Sequence, residues 1–414
     1  MMTDRFAAFR HSSYRRYFTA RFGASLAGNV IAATVAWQVY VITGDPLYLG
    51  LIGLIQFLPS LLLVLVTGLA ADRYGRRMIM GLSIILQMTC AGILMTITTL
   101  EQINIGVVLI VVTMTGIARA FYAPSANAFV VNLVPREDFP NAVSWNASSW
   151  QIATIVGPGL AGGLIWLSIS LSYAVAAIIS LTTAIMIFSI PKPEQARGAT
   201  KTDLATLLGG FKYIWKTKIV LGAISLDLFA VLLGGAVALL PVYAKDILQI
   251  GEVGYGILRA APSVGALLMV VVITSFEIRK HAGLILFIFT GLFGVMHIVF
   301  GCSEIIWLSV LALVLIGAFD MISVYVRETL MQLWTPDDVR GRVNAVNSIF
   351  IGASNQLGEA RAGFMAARLG TIFTVVAGGY LAIGVTALWA AMFPDLRKVQ
   401  DIQSGVDDVG AAKP

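Results

Sequence analysis

Charge is what this chain has least of. Asp, Glu, Lys and Arg make up 12% of its 414 residues, roughly half the share in a soluble protein. With 58% of residues hydrophobic, that scarcity excludes an ordinary soluble domain and puts most of the chain in lipid. Histidine is reduced to His11, His281 and His297, far apart in sequence and without ligand spacing, so no metal site is expected. Both cysteines, Cys90 and Cys302, fall inside apolar runs, which argues against a structural disulfide. A phosphate-binding loop is absent, as is a nucleophile beside a base, so neither an enzyme nor an ATP-driven pump is expected, and no cofactor is implied. Alternating strand patterns are missing too, which leaves closed helices as the way to cross a membrane.

What the chain does have is long apolar runs. Twelve are predicted as spanning helices, near residues 17–42, 47–70, 78–99, 104–131, 140–167, 170–190, 217–244, 253–276, 282–300, 304–333, 343–366 and 371–393. Each is about 20 residues or longer, the length a bilayer core requires. The basic start before the first span resembles a signal peptide, but the span is too long for one and lacks a cleavage site, so it is read as retained. Lys and Arg then orient the chain. Only Lys245 and Arg368 fall on one side, Arg119, Arg259, Arg327 and Arg361 fall within spans, and all the others share the side of the N-terminus. By the positive-inside rule both termini of this multi-pass chain are cytoplasmic. The net charge of +6 follows from this topology and calls for no nucleic-acid partner.

The longest polar loop, Pro191 to Leu204, divides the runs six and six. The expected organisation is a six-helix half over 1–190, a linker over 191–216, a second half over 217–393 and a cytoplasmic tail over 394–414. In the linker, Leu204, Leu207, Leu208, Phe211 and Trp215 recur at helical spacing among lysines, as in an amphipathic helix on the membrane surface; a solvated linker helix is the alternative. The halves repeat each other. At a shift of 201 residues Arg119 meets Asp320, Asn146 meets Asn347, Gly157 meets Gly358 and Gly162 meets Gly363; at 203, Pro59-Ser60 meets Pro262-Ser263. Two parallel six-helix repeats with a site between them near the midplane is a transporter architecture.

Three motifs stand out. Gly68-Leu-Ala-Ala-Asp72-Arg73-Tyr-Gly75-Arg76-Arg77 packs four charges between the second and third spans; Ile155-Val-Gly157-Pro158-Gly-Leu-Ala-Gly162-Gly163 lies in the fifth; Leu330 to Asn344 follows the tenth. Physically, Gly75 permits the tight turn, Asp72 can accept from amides at a helix end, and Arg73, Arg76 and Arg77 can hold headgroups or pair with Asp72. Through these motifs the chain resembles the major facilitator superfamily, and within it the branch of the enterobactin exporter and macrolide efflux proteins. The resemblance implies that the first motif is a gating loop that stabilises the outward-open state, beyond mere positive-inside anchoring. It likewise implies that Gly157, Pro158, Gly162 and Gly163 form an antiporter-type seal, with plain small-residue packing as the alternative. The second half departs from the pattern: its loop at Phe276 to His281 keeps basic charge without the glycine and aspartate frame, and Glu359 replaces the proline.

Ionisable residues inside spans are expensive, so each needs a partner or a task. Arg119 and Asp320 hold equivalent repeat places on the fourth and tenth spans, helices that the resemblance puts on a central cavity. An ion pair there that forms on closure and is weakened by protonation of Asp320 is one reading; a permanent pair within one half is the other. Asp227 has no basic residue within a turn or two, which favours its neutral form and makes it a second proton site; a satisfied polar residue bonded to a neighbouring helix is the alternative. Glu359 is a third, with Arg361 close enough in sequence to neutralise it in part. Arg327 and Glu328 fall nearer the cytoplasmic end and suit gate or loop pairing, while Asn29 and Gln38 on the first span are candidates for substrate contact, with Phe121, Tyr122 and Trp150 as apolar walls; plain packing is the alternative for each of these five.

The expectation is thus an all-α polytopic membrane protein, twelve transmembrane helices in two pseudo-symmetric six-helix halves. It would act, as a monomer in the lipid bilayer, as a secondary active transporter exporting an amphipathic small molecule, drug or siderophore-like, against protons. A lipid or lysolipid flippase and a non-transporting receptor are the alternatives.

Overall fold

A computed structural model describes residues 4–63, 66–67, 70, 73–192, 204–275 and 280–399. Helices account for nearly all of it: α1 (Ser12–Thr43), α2 (Pro46–Leu62), α3 (Arg76–Thr99), α4 (Ile105–Phe129), α5 (Phe139–Leu167) and α6 (Ile169–Ser189); then, after a linker helix (Leu204–Lys216), α7 (Lys218–Gly234), α8 (Gly251–Ser275), α9 (Ala282–Cys302), α10 (Ile306–Leu333), α11 (Asp337–Leu369) and α12 (Thr371–Met392). Among the described residues ten spans are long and apolar enough to cross a membrane. The two others are α2, shorter over its described part, and α11, which has 33 residues but carries Arg340, Arg342, Glu359, Arg361 and Arg368. Every predicted run therefore has its helix.

One run is not a single helix. The seventh was expected to be continuous over 217–244, yet α7 stops at Gly234, and Gly235 takes left-handed angles (φ 40°, ψ 48°) that residues with a β-carbon avoid. A 3-10 turn (Val237–Leu239), a short turn with Pro241 and a π turn (Tyr243–Ile247) complete the crossing. Irregular backbone at membrane depth must be buried in protein and its carbonyls satisfied. A β-carbon on Gly235 would lie 2.8 Å from the carbonyl oxygen of Gly358 on α11, and Arg361 Nη2 donates to the freed Leu233 carbonyl at 2.5 Å.

The internal repeat is visible in packing. Gly116 of α4 lies against Gln56 and Pro59 of α2, and Gly317 of α10 lies against Pro262 of α8. Gly157 of α5 meets Asn29 of α1, and Gly358 of α11 meets Val231 and Leu232 of α7. These are the same contacts one repeat apart, at the shifts read from sequence.

By contact the chain forms two units. The first comprises residues 1–44, 55–202 and 250–260; the second comprises 45–54, 203–249 and 261–414. In the first, α1 packs on α5 and α6, and α3 on α4 and α6. An aromatic cluster of Phe6, Phe9, Tyr14, Phe18 and Trp145 ties the N-terminus to α5, where Tyr14 donates to the Ala142 carbonyl at 2.9 Å. In the second, α9 packs on α10 and α12, and α7 on α11 and α12. Each unit takes in a short piece from the far side of the linker: the start of α8 lies with α5, and the start of α2 with α11.

The linker helix packs against α7 and α11. Ile214 is buried with Val220, Ile224, Met331 and Val343, whereas Phe211 and Trp215 stack on each other and stay exposed. The backbone approach at Gly210, 2.5 Å from its would-be β-carbon to the Arg342 carbonyl, sets the docking.

Candidate functional site

The second unit contains a charge cluster in the membrane. Arg327 of α10 is 1% exposed and forms an ion pair with Asp227 of α7, itself buried. The expectation of an Asp227 without a basic neighbour is thus corrected: its partner lies 100 positions on in sequence and one helix away in space. Arg327 also leaves the gate role expected of it, because it points into the core, and its Nε has no acceptor among the described residues. Glu328, next along the helix, turns the other way and accepts from Asn347 Nδ2 at 2.8 Å.

This cluster breaks the repeat. At the shift of 203 by which Asn29 against Gly157 corresponds to Leu232 against Gly358, Asp227 matches Ala24, and at the shift of 201 that relates Gly116 to Gly317, Arg327 matches Ala126; both alanines are buried among apolar side chains. What the first half builds nearby is a hydrogen-bond network in place of an ion pair: Tyr17 donates to the Ala126 carbonyl at 2.9 Å, and Arg21 donates to Tyr17 Oη and to Asn127 Oδ1. A buried pair present in one half alone is not a requirement of the scaffold, since the same packing succeeds with alanines.

The other embedded charges are placed as follows. Arg361 caps the broken end of α7 through Leu233, a role the sequence did not suggest, and its Nη1 reaches Met365 Sδ. Glu359 is half-buried beside Gly53 of α2, whose would-be β-carbon lies 3.2 Å from its Oε2. Asp320 is half-buried in the second unit, and Arg119 is exposed in the first, with no hydrogen bond or ion pair among the described residues.

Gln38 is corrected from a substrate contact to an interior link. It is 1% exposed, accepts from Tyr173 Oη at 2.7 Å and donates to Thr98 Oγ1 at 2.9 Å, joining α1 to α6 and α3. Asn29 donates to the Ser25 carbonyl and packs on Gly157. Phe121 and Tyr122 are half-buried, and Trp150 is exposed. A group sequence reading overlooked is Tyr255, which stacks on Trp37, donates to the Ala33 carbonyl at 3.1 Å and accepts from Arg259. The spacing of Tyr255 and Arg259, four apart on α8, was its one signal.

In the gating loop, Gly68 and Asp72 lie outside the described residues. Gly75 has φ 86°, as a tight turn requires. Arg73 lies over the Tyr74 ring; Arg76 donates to the Ala128 carbonyl at 2.7 Å and to Asn132, and Arg77 to the Phe188 carbonyl at 2.6 Å. These arginines clamp the carbonyl ends of α4 and α6, where positive charge suits the helix dipole. In the glycine motif, a β-carbon on Gly162 would lie 2.7 Å from the Glu252 carbonyl and 2.9 Å from Gly256 Cα, while Gly163 has nothing within 4 Å. Pro158 is buried, its carbonyl 2.7 Å from the would-be β-carbon of Gly256. Among the described residues no group of three or more His, Cys, Asp or Glu side chains is placed to hold a metal.

A family model described as transmembrane secretion effector matches residues 3–406. The chain belongs to this family of the major facilitator superfamily. The enterobactin exporter EntS of Shigella boydii serotype 18 and that of Escherichia coli O81 are each 26% identical to the transporter over 401 residues, covering 91% of both chains. Among solved structures, a bacterial homologue of the human lysosomal transporter Spinster, inward-facing and unoccupied, superposes with a TM-score of 0.73 at 15% identity, covering 93% of this chain and 98% of its own. The inward-open xylose transporter XylE from E. coli gives 0.69 at 15%, covering 95% and 99%. The fold is the superfamily's twelve-helix arrangement of two pseudo-symmetric halves, in a multi-pass membrane protein.

Proposed function

We propose that this transporter exports an amphipathic small molecule of the siderophore or drug type in exchange for protons, by alternating access, from the inner membrane with both termini cytoplasmic. The observation that carries the coupling is the buried Asp227–Arg327 pair, present in one repeat and replaced by alanines in the other. Breaking such a pair leaves an uncompensated charge in low dielectric, at a cost of about 3–5 kcal/mol. Protonating Asp227 therefore frees Arg327 only if α7 and α10 rearrange to give it another partner, and the break after Gly234 gives α7 a place to do so. Proton occupancy and conformation become one equilibrium. Asp320 and Glu359 are further acids through which a second proton can act. Export is supported by the EntS relatives, which are enterobactin exporters, and an ATP site is not part of this reading.

The test is transport in proteoliposomes. With an imposed pH gradient, enterobactin or an amphipathic drug should move against the proton flow, and a pH dye inside the vesicle should report substrate-dependent proton movement. Substrate movement with no such proton signal would reject proton exchange, and a response to lysolipids alone would favour a flippase.

A further inference from the structure

A crevice of about 530 Å³, open along one side, runs between α3 and α6, lined by Ile85, Met88, Leu181, Ile185, Phe188 and Ser189. Ile85, Leu181 and Ile185 are exposed on helices long and apolar enough to span a bilayer, so the open side faces hydrocarbon. Its mouth is at the start of α3 and the end of α6. There Arg77 donates to the carbonyl of Phe188 with its guanidinium 5.9 Å from that ring, and Arg16 donates to the carbonyl of Ser189, the next residue. Phe188 and Ser189 thus line the crevice and hold two guanidinium groups at its rim. Each guanidinium has five N–H donors and commits one here, and among the described residues no carboxylate is paired with either arginine.

We propose that this is a phospholipid site: one acyl chain of an anionic phospholipid lies in the crevice, and its phosphate accepts from Arg16 and Arg77. The apolar walls fit a hydrocarbon chain and offer a polar ligand nothing. The two fixed positive charges without a counter-ion select an anionic headgroup over a zwitterionic one, because a choline or ethanolamine would bring a third positive charge to the rim. The site ties the bilayer to the turn at Gly75, since Arg77 opens the helix that follows that turn. It does not depend on what the transporter carries.

The experiment is native mass spectrometry of the full chain in detergent, with phosphatidylglycerol or phosphatidylcholine added. One phosphatidylglycerol should be retained, about tenfold in preference to phosphatidylcholine, and Arg16→Gln with Arg77→Gln should abolish the preference. Ile185→Trp, at a lipid-facing position 60% exposed, fills the crevice while leaving both arginines, and should lose the lipid. It keeps the test open if removing the arginines unfolds the helix ends they clamp. Equal retention of the two lipids by the unmodified chain, or unchanged retention by Ile185→Trp, would overturn the proposal.

Discussion

A guanidinium 1% exposed inside a membrane helix is tolerable only with its counter-charge in place, and at Arg327 that charge is Asp227. Arg327→Leu alone should lower stability by about 3–5 kcal/mol, because it strands Asp227. Asp227→Leu with Arg327→Leu should recover most of that loss, as Ala24 and Ala126 already manage in the matching places, yet should not restore proton-driven transport. Thermal unfolding in detergent measures the first part; equal melting temperatures for the single and double variants would contradict it. This pair was hidden in the sequence because its members are 100 residues apart and each, taken alone, invites another explanation. Gln38 misled for a similar reason. A lone amide on a cavity helix reads as a ligand contact until Tyr173 and Thr98, from two other helices, are brought to it.

Among the elements, α5 shows how little separates a close backbone contact from an open surface. Gly162 and Gly163 are neighbours in one motif, but only Gly162 meets the backbone of α8. Gly162→Leu should therefore push the start of α8 off α5 and expose Ala33, whose carbonyl Tyr255 now covers; Gly163→Leu should be tolerated. With Cys90 and Cys302 replaced, labelling of Ala33→Cys by a membrane-impermeant maleimide should rise severalfold in the first variant and not in the second. Equal labelling of both would refute the geometric reading. The helices themselves were legible as apolar runs, but α1 and α11 begin earlier than those runs, at Ser12 and Asp337, because their first turns carry the polar and charged residues that the hydrophobic pattern leaves out. The break in α7 was not, because Gly234-Gly235 in an apolar run has the same letters as a packing motif. In the linker helix the docked face was not legible: Gly209 and Gly210 mark it by their lack of side chain, and Phe211 and Trp215, members of the stripe expected at the membrane surface, stay exposed.

At the scale of the molecule, the repeat provides a symmetric scaffold, and function is read from where the symmetry fails. Among the described residues the glycine and proline contacts recur in both halves, whereas the Asp227–Arg327 pair and the break in α7 occur in one, and in the sequence the motif from Gly68 to Arg77 has no second copy. That asymmetry was partly visible in sequence, in the loss of the glycine and aspartate frame after the eighth span, and it is a sharper guide to the site than the family motifs, which mark the scaffold. The most direct test of the account separates substrate movement from proton movement in one variant. In proteoliposomes Asp227→Asn should still exchange labelled for unlabelled substrate at equal pH on both sides, since no net proton transfer is needed, but should lose accumulation driven by a pH gradient at least about tenfold. Gradient-driven accumulation undiminished in Asp227→Asn would contradict the central claim.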